Sequence, residues 1–160
     1  MKIIRQWFCN AVLVLAGVML LAACGNPAKS DLQAIAKVIS DTGFTPAKTQ
    51  EYQQRLRQAK SEAEVKATLG EMTQYFEKVP ASLNALSLKT DEGRSIRDDL
   101  SQGIDKFVRG TKQVIAAPAK DSQAQEAASR LAMEGLQQFV QGLNKFMVAA
   151  EREGIKLDNK

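Results

Sequence analysis

Residues 91–116, DEGRSIRDDLSQGIDKFVRGTKQVIA, and residues 123–153, QAQEAASRLAMEGLQQFVQGLNKFMVAAERE, decide the fold. In the first stretch Ile96, Leu100, Ile104, Phe107 with Val108, Thr111, and Val114 with Ile115 recur at steps of three and four. That is the period of a helix with one apolar face. Thr90 followed by Asp91 and Glu92 supplies a cap and acids that suit a helix N-terminus, and Pro118 supplies a stop. The second stretch carries a wider stripe of Ala128, Leu131, Leu136, Phe139, Val140, Leu143, Phe146, Met147 and Ala150, closed by Gly154. A wide stripe predicts more than one neighbour, and so the most buried helix of the protein.

Upstream, Val65, Leu69, Met72, Phe76, Val79, Leu83 and Leu86 alternate steps of four and three in a heptad seam. Pro80 lies inside it, which predicts a kink or a restart. That helix begins at Pro46 behind Thr45, carries Tyr52, Leu56 and Ala59, and is interrupted near Lys60 and Ser61. A short first helix runs from Asp31 to about Thr42, with Leu32, Ile35 and Ile39 on one face and Gly43 as its stop. Ser30 with Gln33, Ser61 with Glu64, and Ser122 with Gln125 read as capping boxes, whereas Thr68 with Glu71 has the pattern but falls mid-helix. Alternating apolar runs and hairpin dipeptides are missing from the sequence. The expectation is an all-α, up-and-down bundle of three long helices plus one short N-terminal helix, spanning residues 30–154, with residues 155–160 as a flexible tail.

The N-terminus is an address. Lys2 and Arg5 precede the apolar run of residues 11–23. Thirteen residues make about 20 Å of helix, short of a hydrocarbon core of roughly 30 Å. The run therefore reads as the core of a signal peptide, residues 1–23. It ends in Leu21-Ala22-Ala23-Cys24-Gly25, which resembles the lipobox of bacterial lipoproteins. The resemblance implies a diacylglycerol thioether on Cys24, cleavage before it, N-acylation of the new terminus, and a lipidated tether over residues 24–29. Gly25, where an aspartate commonly retains lipoproteins at the inner membrane, implies the outer membrane, facing the periplasm, in a Gram-negative cell. A tether from Cys24 to Ser30 spans at most about 20 Å. Two or three acyl chains make such an anchor effectively permanent.

Removing Lys2 and Arg5 with that segment leaves 20 basic against 18 acidic groups, so no basic surplus argues for nucleic acid. The 137 residues after position 23 can bury about two-thirds of their unfolded surface, enough to fold without disulfides. Cys9 leaves with the signal peptide and Cys24 is consumed by lipid, while the chain has no histidine. The usual nucleophile and base pairs and the commonest metal sites are therefore excluded, and the expectation is a non-enzyme with no metal and no cofactor beyond its lipid. Glu51 with Arg55, Glu62 with Lys66, and Asp105 with Arg109 read as solvated ion pairs four residues apart.

Gly103 and Gly110 on one long helix, and Gly135 and Gly142 on the next, are each seven residues apart beside the apolar stripe. Antiparallel pairing about Ala119 sets Gly103 level with Gly135 and Gly110 level with Ala128. Such glycines mark close helix contact, a cavity for an apolar ligand, or mere tolerance. Phe44, Tyr52, Tyr75, Phe76, Phe107, Phe139 and Phe146 fall mostly at core spacing. A short first helix leaves part of the wide stripe uncovered, so Leu83, Leu86, Val140, Leu143 and Met147 are the expected strip for a partner helix. The terminal Lys160 resembles that of the Braun lipoprotein family, which is joined to peptidoglycan through it, although that family is a short single helix. Three functions remain open: a non-enzymatic module docking an envelope protein, a carrier or sensor of an apolar ligand, and an envelope tether.

Overall fold

A computed structural model describes residues 25–43, 46–118 and 120–155. Six helices lie among them: α1 Pro27–Ser40, α2 Pro46–Gln58, α3 Glu62–Gln74, α4 Val79–Asn84, α5 Asp91–Ala116 and α6 Ser122–Arg152. No strand occurs among the described residues. The fold is all-α, but it contains two long helices and four short ones where three long helices and one short one were expected.

The difference arises at two breaks in the expected second helix, at residues 59–61, ending in the Ser61 cap, and at residues 75–78 before Pro80. Proline at the second position of α4 donates no hydrogen bond, and its ring excludes the carbonyl four residues earlier. The chain tightens instead, with Phe76 N bonded to Thr73 O at 2.9 Å and Val79 N to Phe76 O at 3.1 Å, before it restarts. The heptad seam survives the break. Leu69, Met72, Phe76, Val79 and Leu83 are buried, and Val65 and Leu86 are half-buried against the same core.

The two long helices form the spine. Thr90 Oγ1 accepts from Gly93 N at 3.0 Å and caps α5. Pro118 holds Ala117 in an extended conformation (ψ 133°), which ends the helix. The cap of α6 is Asp121, whose Oδ1 accepts from Ala124 N at 2.9 Å, so Ser122 is helical and not the cap. At the far end Gly154 adopts φ 65°, with Ile155 N bonded to Ala150 O at 2.8 Å and Gly154 N to Glu151 O at 3.0 Å. This paired closure turns Ile155 back into the core at 8% exposure, so Ile155 belongs to the bundle and not to a loose tail. Residues 156–160 lie outside the described residues.

Gly103 and Gly135 do meet. A methyl group built on Gly103 would lie 2.8 Å from Phe139 Cα and 2.9 Å from the Gly135 carbonyl, and one on Gly135 would lie 2.7 Å from the Gly103 carbonyl. For Gly110 the opposing residue is Ala132, with Cα at 2.7 Å, one turn beyond the expected Ala128. Each Cα–Cβ bond leans toward its own helix N-terminus, so in an antiparallel pair it reaches further along its partner. A methyl group on Gly142 would be less tightly placed, 3.0 Å from Leu100 N. Along one flank Arg152 pairs with Glu92, Lys145 Nζ with Asp99 at 2.6 Å, and Lys106 Nζ with Gln138 at 2.9 Å, fixing the register.

α1, α3, α4 and α6 all pack on α5, whereas α2 packs through α3. The most buried helix is therefore α5, with 11 buried residues of 26 against 10 of 31 in α6, contrary to the expectation from stripe width. Helix α1 starts earlier than Ser30 suggests. Asn26 caps it by accepting from Ala28 N at 3.0 Å and Lys29 N at 3.3 Å, with Pro27 at the first position. Ser30 and Asp31 thus lie inside the helix, and the bundle spans residues 27–155.

Asp31 joins α1 to α5. It is 2% exposed and accepts from Lys89 N at 3.0 Å, Thr90 N at 2.7 Å and Thr90 Oγ1 at 2.7 Å. Burial pushes this carboxyl up, but those donors and the Lys89 charge together hold it below its ordinary 3.8. A side chain on Gly93 would strike Asp31 Oδ2 at 2.7 Å, so only glycine admits this contact.

Two outcomes follow from this geometry. Gly103→Leu should lower the denaturant midpoint by the equivalent of about 1–3 kcal/mol, because backbone atoms stand where its side chain must go. Gly70→Ala, whose added carbon would lie 3.8 Å from Ile115 Cδ1, should be neutral or stabilising by up to about 1 kcal/mol. If Gly103→Leu proves the more stable of the two, the close contact is not a constraint.

Asp31→Asn should cost about 1.5–3 kcal/mol at neutral pH. A carboxyl depressed on folding stabilises above its unfolded value, and that contribution disappears as pH falls through the folded one. The gap between parent and variant should therefore close below pH 3.8. A gap that does not change with pH would assign the loss to shape alone.

Candidate functional site

Cys24, Lys160 and Phe44 lie outside the described residues. The five-residue strip does not exist as an open surface: Leu83 and Leu143 are buried, and Leu86, Val140 and Met147 are half-buried. Length arithmetic gave α1 too little to cover, whereas α1 wedges against α4, α5 and α6 together. Among the described residues Val148, 67% exposed, is the large apolar side chain left outside. Nor do the glycines line a cavity, because the partner helix backbone fills the space beside Gly103, Gly110 and Gly135.

A concavity lies among the short helices. Ser61 Oγ accepts from Glu64 N at 3.2 Å, while the Glu64 carboxylate accepts from Lys60 N at 2.7 Å. This box starts α3 and folds it back on α2 as a hairpin. The fold-back sets Tyr52 edge-to-face against Tyr75, with ring centroids 6.2 Å apart, and Arg55 bidentate on Glu71 at 2.6 and 2.9 Å. The Arg55 guanidinium also lies 5.3 Å from the Tyr52 ring centre. Glu51 bonds to Lys48 at 2.7 Å, so the expected pair with Arg55 is replaced, whereas Glu62 with Lys66 and Asp105 with Arg109 each form at 2.9 Å.

Between this hairpin, the end of α1 and α4 runs an open groove of about 580 Å³. Val38, Tyr52, Tyr75 and Val79 give it an apolar floor; Asp41, Thr42, Glu71, Gln74, Lys78 and Ser82 form a polar rim. The volume lies in the range of small-ligand sites, roughly 300–1,000 Å³. Lys37 Nζ holds both Asp41 oxygens, at 3.1 and 2.8 Å, and the hydrogen bonds from Arg55 hold Glu71 below its ordinary value. The Glu71 carboxylate is thereby held as an anion that accepts and does not donate. Among the described residues no three histidine, cysteine, aspartate or glutamate side chains group as a metal site, and no helix is long and apolar enough to cross a membrane.

Sequence reasoning placed Tyr52 and Tyr75 in the core and missed the groove. The Ser61 box was the available signal, since a turn there brings residues 52 and 75 level.

Residues 29–151 match the model of a family described as uncharacterised lipoprotein PM1805. No curated protein and no solved structure matches the chain.

The floor can be read by titration. Burial raises the Tyr52 hydroxyl above its ordinary 10.0, and its hydrogen bond with Tyr75 and the Glu71 charge act in the same direction. Tyr75→Phe leaves Tyr52 as the one tyrosine of the chain. Tyrosinate absorbance of that variant should show a midpoint above 10.0 when folded and about 10 in denaturant. Equal midpoints would mean that Tyr52 is not sheltered.

Proposed function

Because the chain belongs to this lipoprotein family, we propose that it is a lipid-anchored, non-enzymatic binding module of the bacterial envelope that docks its partner in the groove between α1, the α2–α3 hairpin and α4. Residues 1–23 act as the signal peptide and Cys24 carries the diacylglycerol and N-acyl chains. Gly25 directs the protein to the outer membrane, facing the periplasm. No other cofactor is needed.

The observation that carries this reading is the position of the first cap. Asn26 both starts α1 and donates to the Glu153 carboxylate at the end of α6, so the folded domain begins two residues after Cys24. The free tether is then at most about 7 Å, a third of the length expected from a start at Ser30. The bundle is held against the bilayer by that end. Val38 and Asp41 lie 11 to 14 residues along α1 from Pro27, which puts the groove about 17–21 Å further along that helix. A partner is met above the lipid headgroups. The non-catalytic reading is supported by the lack of histidine in the sequence and by the pairing of both rim acids with neighbouring cations. An apolar-ligand carrier loses support, since backbone fills the space beside the glycines where its cavity was expected.

Cys24→Ser should abolish fatty-acid labelling and release the protein from the membrane fraction. A photo-cross-linking residue at Ser82 should give an envelope adduct that the same residue at Val148 does not. Labelling equal to the parent would defeat the anchor, and adducts from both positions alike would defeat the groove as the docking site.

A further inference from the structure

We infer that the groove binds an oligosaccharide carrying a carboxylate. The inference rests on the groove being the docking site and goes further, to the chemistry of its occupant. An open groove of about 580 Å³ has room for a short run of sugar rings. Over the buried Tyr52 and Val79, the half-buried Tyr75 and Val38 offer aromatic and aliphatic surface of the kind that packs on the C–H face of a pyranose. Around it stand groups matched to hydroxyls. Asp41 and Glu71 accept, the Gln74 amide both donates and accepts, and the hydroxyls of Thr42 and Ser82 do either.

An extended peptide fits less well. It adds to a sheet edge with a row of unpaired backbone donors and acceptors, and no strand occurs among the described residues.

Charge narrows the class. Lys37 neutralises Asp41, Arg55 neutralises Glu71 and Lys48 neutralises Glu51. Lys78 stands exposed on the rim with no acid partner among the described residues. The unmatched charge of the groove is therefore positive, and it selects a saccharide with an anionic substituent over a neutral one.

Calorimetric titration of the full chain, purified with its anchor in detergent, tests this. The acidic probes are peptide-free glycan strands of peptidoglycan and a hyaluronan tetrasaccharide; the neutral probe is chitotetraose. The peptidoglycan strands, the acidic glycan that a bacterial envelope lipoprotein meets, should bind about ten-fold more tightly than the neutral probe, and tighter binding of hyaluronan would overturn that assignment. Gln74→Ala and Lys78→Gln, both at exposed rim positions, should each weaken strand binding about five-fold or more without moving the melting temperature. Lys78→Gln should also remove the preference over chitotetraose. No binding of either acidic probe at millimolar concentration, equal binding of the neutral one, or unchanged binding in Gln74→Ala overturns the inference. A protein adduct at Ser82 together with absent glycan binding overturns it while leaving the docking groove in place.

Discussion

Contact between the backbones of α5 and α6 is the constraint on which the rest of the bundle depends. Each glycine in a helix interior costs about 1 kcal/mol in propensity, so the four at 103, 110, 135 and 142 are tolerated only because something offsets them. At three of them the offset is proximity: atoms of Phe139, Ala132 and Phe107 occupy the volume a side chain would need. Closing that distance seals one face of α5 with little more than backbone and alanine. The larger side chains Ile96, Ile104 and Phe107 share one core with the apolar residues of the short helices. This explains how four helices of 6 to 14 residues, none of which would hold its shape alone, form one core with α5 at its centre.

Asp31 plays a complementary part at one end. Its carboxylate meets the amides that open α5 and ties α1 to the spine by directed bonds where apolar area is small. Buried charge of this kind is tolerable only when it is hydrogen-bonded, and here three donors meet it, the Lys89 amide shared between both oxygens and the Thr90 amide and hydroxyl on Oδ2. Gly93 is the condition for that approach, and so a glycine outside the α5–α6 contact is as constrained as those within it.

Legibility followed range. Thr90, Pro118 and Ser61 act on amides within a few residues of themselves, and their roles could be read from the sequence. Ser30 could not be told from a cap because the pattern that marks it also occurs inside helices; Asn26 followed by Pro27 takes precedence by lying upstream and satisfying two amides. The partners of Asp31 lie 58 and 59 residues away, beyond any local signal. The strip around Val140 and Met147 failed for a related reason, since helix lengths say nothing of the angle at which α1 enters the bundle. The groove was hidden because aromatic spacing identifies a packed residue without distinguishing the centre of a core from the floor of a trough.

Asn26 and Ile155, which bound the helical domain, lie at the same end of the molecule, joined through Glu153. A load applied between the chain entering at Asn26 and the chain leaving at Ile155 therefore runs through this short junction, bypassing the long axis of the bundle. The domain is mechanically a side branch. Tension on its two termini would part Asn26 from Glu153 and peel back the Gly154 turn, while α5, α6 and the trough beside α3 stay unstretched.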